Sequence, residues 1–214
     1  MAYHCCVKAP YSTNVERDYG LLALGSRLNY TCTSPTHGIK TGIWISLKAR
    51  LRGYDAQQVK TAMPTIVFQE KNDIGSCWKF AGPKGQIGVT LAQPVFVHKL
   101  TLHRPHFRLL PDKLLSMAPR KVVLWGVLDI TPSQNITNVV SGKFGVNWPL
   151  LQMADIMYRL DTLVPSTQSF PVSHQFRTLP FRTLVIEVLD NYGSDVTCLY
   201  RVSVQGEDYK ELIL

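Results

Sequence analysis

The residues able to do covalent or metal chemistry are few and widely spaced. Three histidines come close together, at His98, His103 and His106, but residues i and i+3 of a strand point to opposite faces, and Pro105 disturbs regular pairing. The pattern therefore indicates exposed or hydrogen-bonded histidines at a strand end, not a metal site. None of the cysteines shows the C-x-x-C spacing of a thiolate zinc site or redox motif. They are Cys5, Cys6, Cys32, Cys77 and Cys198.

Sequence motifs of common enzyme classes are missing. The chain has no GxSxG elbow, GxxxxGK[ST] phosphate loop, HExxH or EF-hand loop. Glu16, Asp18 and Glu187 suggest no acid–base pair. We therefore expect a binding protein without an organic cofactor, and not an enzyme.

Composition favours one folded domain. The chain has 214 residues, of which 45% are hydrophobic and 18% charged, so it can bury a substantial core and is not dominated by disorder. The net charge of +8 would suit an acidic partner, but the basic residues are scattered and form no nucleic-acid arm. We expect no nucleic-acid binding.

The sequence is consistent with more than one cellular compartment. No stretch approaches the roughly 18 apolar residues of a membrane span, and the start, MAYHCCVKAPYS, lacks the apolar core of a signal peptide. A cytosolic protein and a lumenal fragment without its targeting segment are both consistent with this. The sequons Asn29-Tyr30-Thr31 and Asn135-Ile136-Thr137 matter only in a secretory lumen.

Short strands separated by Gly/Pro turns predict an all-β sandwich or jelly roll. Trp78 and Trp148 are expected in the core or at an interface, Trp125 in the core, and Trp44 is a candidate for partner contact. The predicted strands are Thr65–Gln69, Cys77–Phe80, Gln86–Leu91, Val95–His103, Lys121–Leu128, Ser169–Phe176, Arg182–Leu189 and Thr197–Gln205.

Three segments depart from this rhythm. Val15–Ser26 has an apolar side and predicts a short N-terminal helix. In Ile43–Arg52, apolar residues alternate with basic and hydroxylated residues, which is typical of an exposed hairpin arm. Asn147–Val164 has apolar residues near a helical period, so we interpret it as an inserted helix or an ordered loop.

The stretch NDIGSCWKFAGPKGQ holds Cys77 between two turns, which indicates a cysteine tied to a partner. Strand pairing could bring Cys198 within range, but the pattern leaves the partner open.

Several ordered motifs from Asp18 to Gly206 resemble the SUN domain, the lumenal module of nuclear-envelope proteins that bind KASH peptides. The resemblance implies a non-catalytic domain over residues 18–214, after an N-terminal extension of residues 1–17. The motifs are Asp18-Tyr19 with Gly25, GSCWKF (75–80) with GPKG (82–85), SMAPRK (116–121), SGKF (141–144), and NYG (191–193) leading into TCLYRV (197–202).

The resemblance also implies two features of the GSCW region. Cys77 and Cys198 would form an internal disulfide. The loop Val67–Cys77 would wrap a monovalent cation, potassium or sodium, with backbone carbonyls. Its liganding positions would be Val67, Gln69, Lys71, Ser76 and Tyr200.

A partner-binding region follows from the same resemblance. Residues 39–63 match a β-hairpin lid that covers the bound peptide, and Cys32 occupies the place of a cysteine that cross-links some partners. Where relatives carry His, Ser and Tyr around the peptide's C-terminus, this chain has Arg104, Met117 and Val196, and Arg104 is expected to bind the terminal carboxylate. The partner-binding residues implied are Arg104, Met117, Val196, Tyr200, Trp44, Ile45 and Leu47.

The resulting expectation is a homotrimeric receptor for the C-terminal tails of KASH proteins in the perinuclear space. As part of the LINC complex it would link the inner and outer nuclear membranes, attached to the membrane through a segment that precedes this domain. The alternative is a lectin-like β-sandwich that binds glycans or another lumenal partner, and exposed aromatics beside acidic or amide side chains in one cleft would favour it.

Overall fold

Strands are the main regular secondary structure of the described residues, as the alternating sequence predicts. The computed structural model describes residues 16–38, 63–128, 139–161 and 164–209. Within these ranges the strands are β1 (Arg27–Asn29), β2 (Trp78–Ala81), β3 (Gly85–His103), β4 (Pro119–Val127), β5 (Val139–Val140), β6 (Leu150–Met157), β7 (Thr167–Pro171), β8 (Pro180–Asn191), β9 (Val196–Leu199) and β10 (Val202–Asp208). In the same described ranges, one α-helix, α1 (Asp112–Ser116), and short 3-10 turns connect them; the turns are Leu22–Leu24, Tyr30–Cys32, Pro64–Phe68, Phe107–Leu109, Lys143–Gly145 and His174–Phe176.

The long strand β3 organises the sheets. Its first half pairs with β1 and β8, and its second half pairs with β10 and β7. The larger sheet runs β1-β3-β8-β4-β6-β5, and β2 with β9 forms a separate two-stranded sheet. All of these pairs are antiparallel, and the architecture is a β-sandwich, which confirms the predicted fold class.

Both faces of the central strands are buried. Along β4, Val122 and Leu124 join the large core cluster, while Val123 and Trp125 join a smaller cluster on the opposite face, as the two-residue period of a strand requires. The predicted core positions of Trp78 and Trp125 are confirmed, since their side chains are 0% and 5% exposed.

The SGKF segment covers the smaller cluster. Lys143 donates to Glu187 Oε2 at 2.6 Å, and the Trp125 Nε1–H donates to the same oxygen at 2.8 Å. Phe144 adopts a left-handed conformation with φ of 58° and packs against the same cluster. A positive φ is uncommon for a bulky residue, so this turn is held in place by the contacts around it.

Two local predictions near the N-terminal side of the domain are wrong. The described part of the predicted helix Val15–Ser26 contains only the 3-10 turn Leu22–Leu24, which ends at Gly25 with φ of 94°. The predicted strand Thr65–Gln69 is also a 3-10 turn, Pro64–Phe68, because Pro64 at its first position has a backbone angle suited to helical geometry.

The interpretation of residues 147–164 is also wrong, because they contain β6. In the pairing with β4, Leu124 lies opposite Ala154 and Trp125 lies opposite Gln152, so Met153 is an extra residue. Such a β-bulge restarts the alternation of side chains. Buried positions therefore follow an irregular spacing that imitates a helical period.

One expected feature, the lid hairpin, falls mostly on residues that the structure does not describe. Almost all of the predicted lid hairpin (39–63), including Trp44, Ile45 and Leu47, lies outside the described residues. Among the helices that are described, none is long and apolar enough to cross a membrane.

Candidate binding site

A small cavity lies beneath α1, between the end of β3 and the end of β9. Arg104 directly follows β3, and Tyr200 directly follows β9. Leu110, Leu114 and Leu115, from α1 and the turn before it, line the cavity with them. Its volume is about 10 Å³, which is about the space of one water molecule.

Arg104 is the most unusual residue of this cavity. Arg104 is only 3% exposed, so its side chain does not point into solvent. Its Nη1 donates to the carbonyl of Pro105 at 3.2 Å, while Nε and Nη2 have no hydrogen-bond partner among the described residues. A buried guanidinium with unpaired donors is costly, and an anionic acceptor would relieve that cost.

Tyr158 lies in the same cavity and comes from the position just after β6. Burial raises the pKa of Tyr158 to about 12, and the nearby Arg104 guanidinium only partly opposes this rise. The hydroxyl therefore stays protonated and is a hydrogen-bond donor. Sequence reasoning missed Tyr158 because residues 147–164 were not assigned to a strand; it lies two positions after buried Ile156, a spacing that a strand assignment would have detected.

Tyr200 connects the cavity to the predicted cation loop. It is 6% exposed, and its hydroxyl oxygen accepts a hydrogen bond from the backbone N–H of Gly75 at 3.3 Å. Burial raises the pKa of Tyr200, and the Gly75 N–H partly opposes that rise. One side chain thus contacts both regions that the sequence singled out.

The remaining described partner-binding candidates separate into two places. Met117 packs against Cys77, Cys198 and Tyr200. Its carbonyl accepts the Cys198 N–H at 2.8 Å. Val196 begins β9 opposite Ala81 and does not line the cavity. The structure therefore brings Arg104 and Tyr200 together, with Met117 alongside and Val196 apart.

Cys77 and Cys198 form the predicted disulfide. Their Cα atoms are 5.5 Å apart, within the normal range for a cystine, and both residues are buried. The bond closes a loop with a sequence separation of 121, and it ties β9 to the end of the loop 67–77.

The loop 67–77 contains a buried acceptor, and its charged side chains, Glu70, Lys71 and Asp73, belong to exposed residues. The Asn72 Oδ1 atom is buried and has no hydrogen-bond partner among the described residues, so it is an acceptor that a cation or a water molecule would satisfy. Lys71, whose ammonium is the alternative occupant of the loop, is an exposed residue. The part of the chain described contains no group of three or more His, Cys, Asp or Glu side chains that could hold a metal ion. Potassium or sodium binding by this loop stays a prediction.

Cys32 is a free, fully buried cysteine in the 3-10 turn after β1. Burial raises the pKa of its thiol, which lowers the fraction of reactive thiolate. Cross-linking to a partner stays a prediction, and it requires this cysteine to become exposed.

A second concavity, a groove of about 500 Å³, lies along β6 and next to the turn at Phe176. It carries the amide and acidic side chains Gln152, Asp155 and Gln175. Its aromatic residue, Phe176, is only 5% exposed. The described lining therefore lacks the exposed aromatic side chain that would favour the lectin-like alternative.

Comparisons with solved structures agree with the sandwich architecture. A family 32 carbohydrate-binding module from Streptococcus pneumoniae EndoD aligns with a TM-score of 0.53 and 9% identity, covering 89% of this chain and 100% of that one. Allantoicase from Saccharomyces cerevisiae aligns with a TM-score of 0.52 and 9% identity, covering 89% and 43%. At such identities the likeness concerns the fold alone.

Sequence comparisons identify relatives. SUN domain-containing protein 5 of Homo sapiens is 27% identical over 191 residues, which are 88% of this chain and 43% of that protein. Nuclear migration and anchoring protein unc-84 of Caenorhabditis elegans is 29% identical over 147 residues, which are 67% and 12%. The chain thus spans less than half the length of these curated relatives. The family model described as Sad1 / UNC-like C-terminal matches residues 57–208, most of the chain, and the chain therefore belongs to this family of SUN domains.

Proposed function

We propose that this chain is a non-catalytic binding domain of the nuclear-envelope lumen that captures the C-terminal tail of a KASH protein. Through that capture it would connect the inner and outer nuclear membranes. Membership of the SUN family supports this role, as does the similarity to a relative named for nuclear migration and anchoring. The disulfide between Cys77 and Cys198 is typical of an oxidising compartment such as the perinuclear space.

The single observation that carries the proposal is the buried Arg104 with two unpartnered donors. A peptide ends in a carboxylate, which accepts hydrogen bonds and needs donors once it leaves water. Nε and Nη2 form one edge of the guanidinium, and that edge can grip a carboxylate in two parallel bonds. The apolar leucines over the cavity exclude water and so strengthen the ion pair.

Entry of the peptide needs some rearrangement. The cavity of about 10 Å³ is too small for a carboxylate together with its terminal residue. Leu114 and Leu115 are only partly buried, and α1 has five residues, so a shift of this short helix would open the cavity at low cost.

Two finer features belong to the same proposal. The loop 67–77 would hold potassium or sodium, with the buried Asn72 Oδ1 as a neutral oxygen beside the backbone carbonyls. Bound there, the ion would order the loop that contacts Tyr200. The domain would act as a homotrimer, as the SUN family implies.

Binding of KASH-type C-terminal peptides tests this function. Calorimetry with the wild-type domain should detect a free-acid peptide and should give a much weaker signal for the same peptide with an amidated C-terminus. A scrambled free-acid peptide controls for attraction to the basic surface. No binding of the free acid above the scrambled control, in potassium or sodium buffers, would contradict the proposal.

A further inference from the structure

The side chain of Tyr158 and the backbone of Arg104 are held by one carbonyl group. The carbonyl oxygen of Ser166 accepts the backbone N–H of Arg104 at 3.1 Å and the hydroxyl of Tyr158 at 3.4 Å. Both side chains line the cavity beneath α1. The fold therefore fixes a neutral hydroxyl and a cationic guanidinium on neighbouring walls of the same small space.

The proton of the Tyr158 hydroxyl makes only a weak hydrogen bond in this structure. An O–H···O bond of 3.4 Å lies beyond the usual range of about 2.5–3.0 Å, so little is lost when the proton turns to a better acceptor. Tyr158 is 2% exposed, and water does not compete freely for its hydroxyl.

The backbone around Tyr158 is clamped. The Tyr192 hydroxyl donates to the Tyr158 carbonyl at 2.7 Å and accepts the Leu160 N–H at 3.3 Å. Gln168 accepts the Arg159 N–H at 3.1 Å and donates to the Arg159 carbonyl at 2.7 Å. These hydrogen bonds hold the backbone just after β6, so Tyr158 has a defined position next to Arg104.

We propose that Tyr158 is a second donor to the partner's terminal carboxylate, acting beside Arg104. This inference rests on the proposed function and names a specificity-determining residue for it. A carboxylate offers about four lone-pair sites on its two oxygens. Arg104 Nε and Nη2 fill two of them, and the Tyr158 hydroxyl supplies a third donor, whose bond to a charged carboxylate is stronger than its bond to a neutral amide oxygen. Val196, the position expected to help here, has no donor in its side chain.

The substitution Tyr158→Phe removes only the hydroxyl and keeps the ring that packs in the core. Calorimetry should show about a tenfold loss of affinity for the free-acid peptide and a clearly smaller loss for the amidated peptide, because the hydroxyl bonds a neutral oxygen more weakly. Tyr30→Phe removes a hydroxyl from a tyrosine that is 66% exposed and is the matched control. Thermal unfolding of each variant reports whether the fold is kept.

The outcomes separate this inference from the proposed function. If the wild type fails to prefer the free acid, the proposed function fails and this inference falls with it. If the wild type binds the free acid and Tyr158→Phe binds both peptides as the wild type does, only the role of Tyr158 is overturned. Equal losses for both peptides would show a purely structural role and would also overturn it.

Should Tyr158→Phe be unstable, 3-fluorotyrosine at position 158 gives a second readout. Its fluorine resonance should shift with the free acid and stay in place with the amide. No difference between the two peptides would overturn the inference.

Discussion

The ammonium group of Lys143 lies 4.0 Å from the ring centroid of Trp125. Both groups also donate to the same carboxylate oxygen of Glu187, and Glu187 has a side chain that is only 14% exposed. The SGKF turn is thus fastened to the sheet through a cation–π contact and a shared acceptor.

Removing the Lys143 charge should loosen this turn. We expect Lys143→Met to lower the free energy of unfolding by about 1–2 kcal/mol, because it removes the cation–π contact and one charged donor to Glu187. Lys113→Met, on the exposed side of α1, is the control and should change it by less than about 0.5 kcal/mol. Urea unfolding measures both variants, and equal effects would show that the contact contributes nothing.

The stability of the domain should fall on mild acidification because His103 becomes protonated. Burial and the nearby Arg201 charge lower the pKa of His103, although Asp18 partly opposes them. The neutral ring, which hydrogen-bonds Ser203 Oγ at 2.7 Å, is therefore the favoured native form. A histidine whose folded-state pKa is lowered contributes stability that is present above the ordinary pKa of about 6.5 and is lost as the pH falls below it.

The melting temperature measured between pH 7.5 and 5.5 checks this pH dependence. The decrease should be smaller in His103→Gln than in the wild type, whereas the exposed His174→Gln should follow the wild type. A wild-type slope in His103→Gln would assign the acid sensitivity to other groups.

The Cys32 thiol should be unreactive in the native domain. Its full burial and raised pKa both suppress thiolate attack, so labelling by iodoacetamide should be slow until urea unfolds the chain. Cys5→Ser and Cys6→Ser remove the two N-terminal thiols from the measurement. Rapid, complete labelling under native conditions would mean that Cys32 becomes exposed, as a cross-link to a partner requires.

Loss of the Cys77–Cys198 disulfide should strongly destabilise the domain. A loop with a sequence separation of 121 corresponds to roughly 4–5 kcal/mol by the chain-entropy estimate. Non-reducing peptide mapping should find one cross-linked peptide pair with these cysteines. Cys77→Ala combined with Cys198→Ala should then unfold at markedly lower urea, and a midpoint close to that of the oxidised wild type would contradict this role.

Long strands with simple alternation were predictable from the sequence, and bulges and turns were not. The apolar alternation of Val95–His103 predicted the second half of β3, since half-buried strands show this pattern. Strand β6 could not be predicted from the sequence pattern, because the bulge at Met153 adds one residue and changes the spacing of buried side chains. Gly20 and Gly25 disfavour the predicted N-terminal helix, and its described part contains the 3-10 turn Leu22–Leu24.

The candidate site was predictable only in part for a related reason. The motifs around Cys77 and Cys198 predicted the disulfide through resemblance, and Arg104 came from the same alignment of motifs. Burial of Arg104 and its neighbour Tyr158 depends on how β3, β6 and α1 meet, which no local pattern encodes. Val196 is the first residue of β9 and pairs with Ala81 of β2, whereas the cavity is lined by the other end of β9, at Cys198 and Leu199.

The pairing of Arg104 with a peptide carboxylate is the central claim, and a cycle of two variants and two peptides tests it most directly. Affinities of the wild type and Arg104→Ala are measured by calorimetry for one KASH-type peptide as free acid and as amide, with Arg182→Ala as the exposed-arginine control. We predict that Arg104→Ala weakens free-acid binding by about 1.5–3 kcal/mol, roughly 10- to 150-fold, and leaves amide binding nearly unchanged. Equal losses for both peptides, or no loss for either, would contradict the account.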